Sequence, residues 1–148
     1  MMNAHEYQVN LEWKTGRTGE IHSPDLNQKI EIATPPEFNQ GVAGIWSPEH
    51  LFTASVVSCY MTTFLAIAEN SKLQYTHFNC QAKGKLEQVD GKFLMTEIHL
   101  FPELSITNME DKEKAERILS KSESACLISN SIKSKVHLQS KILISEHV

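Results

Sequence analysis

The residues best suited to chemistry in this 148-residue chain are its three cysteines, Cys59, Cys80 and Cys126. The thiolate is the nucleophilic form of cysteine, and a free thiol with a pKa of about 8.5 is only a few per cent ionised at neutral pH. A reactive cysteine therefore needs a neighbour that stabilises negative charge. Cys59 lies near the middle of a long apolar stretch that reads as a helix, beyond the reach of the helix-terminal dipole. Cys126 lies in Ser-Glu-Ser-Ala-Cys-Leu-Ile-Ser-Asn. There Ser122 or Ser124 reads as the cap of a short helix ending near Ile132, whose first N–H groups favour a thiolate. Cys80 shares a strand face with Phe78, Ala82 and Leu86 and reads as structural, because free cysteine commonly packs as a small hydrophobe. The odd cysteine count, and an N-terminal MMNAHEYQVNLEW without an apolar signal core, fit a reducing, cytoplasmic setting and thiol chemistry.

Other chemistries find less support. His5, His22, His50, His77, His99, His137 and His147 form no close pair at ligand spacing, and no C-x-x-C occurs, so no metal site is expected. There is no Gly-rich phosphate loop and no nucleophile elbow. A net charge of −4 with scattered Lys and Arg argues against nucleic acid. With 41% hydrophobic and 22% charged residues, the composition fits one globular domain over residues 1–148, or one protomer of an intertwined dimer. Leu51 to Ala68 carries no charge, but Thr53, Ser55, Ser58, Thr62 and Thr63 interrupt it. It reads as a helix buried in protein, with no membrane association.

The elements that must position these thiols follow from patterning. Tyr7, Val9, Leu11 and Trp13 alternate with polar residues, as in a half-buried strand. Residues 15–19 read as a turn, and Lys29 to Ala33 as a second strand. Ser47, Pro48 and Glu49 are a cap, a first-turn proline and a dipole-compensating acid, which start a helix running to about Asn70. Asp90-Gly91 predicts a tight hairpin turn, with Leu94, Thr96, Ile98 and Leu100 alternating on the return strand. Asn108 caps a helix from Met109 to about Lys121. Val136, Leu138, Ile142 and Ile144 share a face of one last strand. The order predicts an α+β fold with mostly antiparallel sheets around a long central helix.

Pro48-Glu49-His50-Leu51-Phe52-Thr53-Ala54-Ser55 followed by Cys59 resembles the signature of the osmotically inducible protein C and organic hydroperoxide resistance family. Cys126-Leu127-Ile128-Ser129 matches in spacing the family's second cysteine segment, with Leu127 in place of the usual proline. Gly16-Arg17-Thr18-Gly19 is similar to the arginine-bearing turn of the organic hydroperoxide resistance branch. The resemblance covers nearly the whole chain. It implies an intertwined homodimer and a thiol-dependent antioxidant peroxidase of organic hydroperoxides, without a cofactor. In that reading Cys59 is the peroxidatic thiol, Cys126 the resolving thiol and disulfide partner, and Arg17 and Glu49 organise the thiolate. A dithiol, either a lipoylated protein or a small thiol, is the implied reductant.

Glu49 and Cys59 stand ten residues apart, about 15 Å along one continuous helix. If both serve one site, Glu49 comes from a partner chain. Without the resemblance, Glu49 reads as a first-turn residue and Arg17 as an exposed turn arginine. His50, Trp46, Phe52 and Tyr60 are candidates for a pocket wall, with surface or core packing as their alternative roles. The alternative function is a non-enzymatic dimeric ligand-binding or redox-sensing protein with the same fold.

Overall fold

The computed structural model describes residues 4–145, so His147 lies outside the described residues. The chain divides into two compact units, Met1–Leu51 and Phe52–Val148.

In the first unit, β1 (Asn10–Thr15), β2 (Thr18–His22) and β3 (Ile30–Ala33) form an antiparallel sheet in that order. Gly16 makes the β1–β2 turn at φ +53°. The expected turn over residues 15–19 is shorter than its composition suggests, because Thr18 and Gly19 already belong to β2. Glycine suits that strand position: a Cβ on Gly19 would stand 3.0 Å from the Glu12 carbonyl oxygen. The alternating apolar face of the first strand is not half-buried. Tyr7, Val9, Leu11 and Trp13 are 65–86% exposed in the single chain.

The first helix, α1 (Pro48–Asn70), begins where its cap predicts. Ser47 Oγ accepts the His50 N–H at 3.1 Å, which satisfies a donor with no partner inside the helix. By length and composition α1 could cross a membrane. One stripe of it is buried: Val56, Tyr60, Phe64 and Ala68 recur every fourth residue. Met61 and Leu65, on another face, are exposed in the single chain. The expectation of a helix buried all round therefore narrows to that stripe.

In the second unit, β4 (His77–Val89) and β5 (Lys92–Ile106) form a long antiparallel hairpin. Its turn is Asp90-Gly91, with φ of 51° and 80°, the two left-handed conformations that this dipeptide tolerates. The expected single last strand is two, β6 (Lys135–Leu138) and β7 (Lys141–Ile144), both parallel to β5. The sheet is thus mixed, within an α+β fold. A helical turn at Met109–Asp111, capped by Asn108, leads into α2 (Lys112–Ser124).

On β5, Ile98, Leu100, Leu104 and Ile106 face the core, where they join the α1 stripe and Ala115, Ile118 and Leu119 of α2. Phe64 stacks on Phe78 with ring centroids 4.6 Å apart. Full burial of such a side chain stabilises the fold by about 1.5–3 kcal/mol. The Tyr60 hydroxyl donates to the Leu119 carbonyl at 2.9 Å, which ties α1 to α2.

Candidate active site

Cys59 stands one residue before the buried Tyr60, on the flank of the α1 stripe, and is half-buried. Cys126 is fully buried. It does not start a third helix. Instead α2 ends at Ala125, and the Cys126 N–H donates back to the Glu123 carbonyl at 3.2 Å. Ser122, a candidate cap, lies inside α2, where its hydroxyl donates to the Ile118 carbonyl at 2.6 Å. Such back-bonding serves a serine as well as capping does, so its position could not be read from composition.

After Cys126 the chain folds into a tight turn. The Asn130 N–H reaches the Cys126 carbonyl at 3.1 Å and the Ser131 N–H reaches the Ile128 carbonyl at 2.9 Å. This turn aims the Leu127 and Ile128 N–H groups at the Cys59 sulfur.

Opposing effects act on that sulfur. Burial pushes the Cys59 pKa up. Hydrogen bonds from the Cys126 thiol, the Ile128 N–H, the Thr63 hydroxyl (3.9 Å) and the Leu127 N–H outweigh it, and the pKa falls below the ordinary thiol value. Cys126 moves the opposite way. Burial and the neighbouring Cys59 raise its pKa, and contacts from Ser129 offset this only in part. The end of α2, with its negative dipole, is also a poor place for a second anion. Of the pair, Cys59 is therefore the sulfur that ionises first and Cys126 the one that holds its proton longer. All the groups named here belong to the second unit. The amides of Leu127 and Ile128 were invisible to sequence reading, because a backbone donor has no residue signature.

Arg17, Trp46, Glu49 and His50 lie in the first unit. Arg17 is an exposed residue of the β1–β2 turn whose carbonyl accepts the Thr34 N–H at 3.2 Å. Glu49 is half-buried in the first turn of α1. His50 Nδ1 lies 2.7 Å from Ser47 Oγ, and its ring meets Trp46 edge-on. Gly44, Ile45, Trp46 and His50 line a cavity of about 280 Å³. Tyr60 is core, not pocket wall, since it is fully buried with its hydroxyl bonded. Burial holds the Cys80 pKa up at about 11, in keeping with a structural thiol. The absence of histidine pairs in the linear sequence does not carry over to the fold: Glu97, His99 and His137 meet on the sheet.

The family model described as OsmC-like protein matches residues 41–141. The chain is 26% identical over 143 residues to the uncharacterized protein YmaD of Bacillus subtilis (strain 168), covering 93% of each chain. It is 23% identical over 135 residues to an organic hydroperoxide resistance protein-like protein of Staphylococcus aureus (strain MSSA476), covering 91% of this chain and 94% of that one. Among solved structures, an OsmC-like protein of unknown function from Vibrio cholerae superposes with a TM-score of 0.82 at 23% identity, over 93% of this chain and 99% of that one. An organic hydroperoxide resistance protein from Elizabethkingia anophelis, with thiocyanate bound, gives 0.77 at 19% identity, over 98% and 100%. These likenesses establish the fold. The matched residues include both Cys59 and Cys126, and by that match the chain belongs to the OsmC-like family.

Proposed function

We propose that this protein is a homodimeric, thiol-dependent peroxidase of organic hydroperoxides, with Cys59 as peroxidatic and Cys126 as resolving thiol, working in a reducing cytoplasm. The observation that carries the reading is the asymmetric sulfur pair: a half-buried Cys59 with a lowered pKa in hydrogen-bond contact with a buried Cys126 thiol. The names of the organic hydroperoxide resistance relatives agree with it.

The Cys59 thiolate attacks the terminal oxygen of ROOH. The S–O bond forms, the O–O bond breaks, and the alkoxide takes up a proton and leaves as ROH. Cys59 is then a sulfenic acid. The Cys126 sulfur attacks Cys59, hydroxide leaves with the Cys126 proton as water, and a disulfide remains. A dithiol, from a lipoylated protein or a small molecule, returns both thiols and becomes a disulfide itself. Arg17 and Glu49 are proposed, from the family resemblance, to organise the thiolate. The exposed Tyr7, Val9, Leu11 and Trp13 support the homodimer, since an apolar row of that size is costly to leave in water.

The test is peroxide consumption by the reduced protein with a dithiol donor. Cumene hydroperoxide should be turned over, and Cys59→Ser should abolish turnover. Undiminished turnover in Cys59→Ser overturns the assignment.

A further inference from the structure

The outer face of the second unit's sheet carries a cluster that the peroxidase reading does not use. Glu97 and His99 lie two residues apart on β5, so they share a face, and His137 on β6 is the register partner of His99. The sheet thus fixes all three side chains on one patch. Their ligand atoms lie within 4.8 Å of one another. Glu97 Oε1 is 3.4 Å from His99 Nε2 and 2.9 Å from His137 Nε2. The two imidazoles stack with centroids 4.6 Å apart and planes 14° apart, both Nε2 atoms lie near the same carboxylate oxygen, and His137 Nε2 is buried without a hydrogen-bond partner.

We propose that Glu97, His99 and His137 form a binding site for a first-row divalent cation of the zinc type. Donor atoms bound to one tetrahedral ion at about 2.0–2.2 Å stand about 3.3–3.6 Å apart. The 3.4 Å from Glu97 Oε1 to His99 Nε2 falls in that range and the 2.9 Å to His137 Nε2 is shorter, and the imidazoles must turn out of their stack to bring both nitrogen lone pairs onto one ion. Two imidazoles and one carboxylate are a donor set suited to zinc, with the fourth position left to water or an exogenous ligand. Lys85 Nζ lies 3.4 Å from Glu97 Oε2. It holds the carboxylate by its second oxygen and leaves Oε1 for the ion, the arrangement by which an outer partner orients a ligand. Phe101 stacks against the other side of His99, with ring centroids 6.4 Å apart, and limits the imidazole's freedom. All three ligands are about two-thirds buried, between 28% and 38% exposed. The residues are thus held in place at the sheet surface, with the His137 Nε2 atom itself buried.

The thiols Cys59 and Cys126 could also take up zinc, so the experiment must separate the two sites. The untagged, reduced full-length chain is titrated with Zn²⁺ against a chromogenic chelator, then with Co²⁺. Wild type and the Cys59→Ser/Cys126→Ser variant should each bind one ion at this site. The cobalt form of the cysteine variant should show visible d–d absorption without a thiolate charge-transfer band. His99→Ala and His137→Ala should each weaken uptake in that background at least tenfold, and Glu97→Gln, which keeps the side-chain shape, should do the same. Unchanged circular dichroism in these variants, and unchanged peroxide turnover in His99→Ala and His137→Ala made with both cysteines intact, establish that the fold is preserved. Uptake that persists in all three ligand variants, or that disappears in the cysteine variant, overturns the proposal.

Discussion

The Cys126 thiol donates a hydrogen bond to the Cys59 sulfur, which couples the ionisation of the two sulfurs and partitions it in favour of Cys59. The partition is uneven because their surroundings are uneven. Two backbone amides and the Thr63 hydroxyl face Cys59, while Cys126 is fully buried at the end of a helix. The Cys59 sulfur thus needs no cation within the second unit to fall below an ordinary thiol pKa.

Cys126→Ser keeps a hydroxyl donor beside Cys59 and removes the sulfur proposed to resolve it. The reduced variant should consume one peroxide per chain in a burst and then stop, with Cys59 trapped as a sulfenic acid or overoxidised. Mass spectrometry after one equivalent of hydroperoxide reads this directly. Cys126→Ala also loses the donor, so its burst at pH 7 should be slower, by roughly tenfold for a hydrogen bond to a charged group. Normal cycling of Cys126→Ser with a dithiol would show that Cys126 is not the resolver.

The lowered Cys59 pKa sets the pH profile. Peroxide consumption should rise with pH as the thiolate forms, then level off, with its midpoint below the ordinary thiol value of 9.0. Stopped-flow rates across pH 5 to 10 give the curve, and a midpoint at or above the ordinary value would contradict the hydrogen-bond account.

Leu127 supplies a backbone N–H to the Cys59 sulfur, and a proline there could not. Leu127→Pro should therefore raise the Cys59 pKa and shift the pH–rate curve upward. The ultraviolet absorbance of the thiolate, titrated in a Cys80→Ser background, measures the shift. Leu127→Ala, which keeps the N–H, should titrate like wild type.

Cys80 has a stability signature at high pH. Its folded pKa of about 11 lies above the ordinary 9.0. Its neutral thiol therefore contributes fully below pH 9, and that contribution is lost as pH rises toward 11, where the unfolded chain ionises first. Cys59, with its lowered pKa, works in the other sense: its contribution is present above the ordinary thiol value and is lost as pH falls through the folded one. Melting temperatures measured from pH 8 to 11 should fall less in Cys80→Ala than in wild type.

Gly84 marks where β4 passes close to α1 and β5. A Cβ there would fall on Thr53 Oγ1 and stand 2.8 Å from Met95 Cε. Gly84→Ala should destabilise the protein by about 1–3 kcal/mol, as overpacking does, measurable as a lower urea midpoint.

Much of this was legible in the sequence where a local signal decides the backbone. Ser47-Pro48-Glu49 fixed the start of α1, and Asp90-Gly91 fixed the hairpin. The failures share a different cause. Gly19 reads as a turn residue, but its place in β2 depends on how closely the Glu12 backbone approaches. Ser122 reads as a cap, but it sits inside α2, bonded to Ile118. The parallel pairing of β6 and β7 with β5, and the meeting of His99 with His137, depend on contacts between distant segments. Cys59 and Cys126 were legible as a pair only through their segment signatures, and the backbone amides that act on Cys59 belong to Leu127 and Ile128, residues whose side chains carry no polar group.

Between the two sulfurs the chain runs through the β4–β5 hairpin and α2. A bond joining them would enclose that whole stretch in a covalent ring. In the chain-entropy picture, closing a ring of this size restricts the unfolded chain by about 4 kcal/mol. The oxidised protein should then resist urea and proteases better than the reduced one. Exposure to peroxide would leave a mechanical imprint on the molecule, tightening it until a reductant releases the ring.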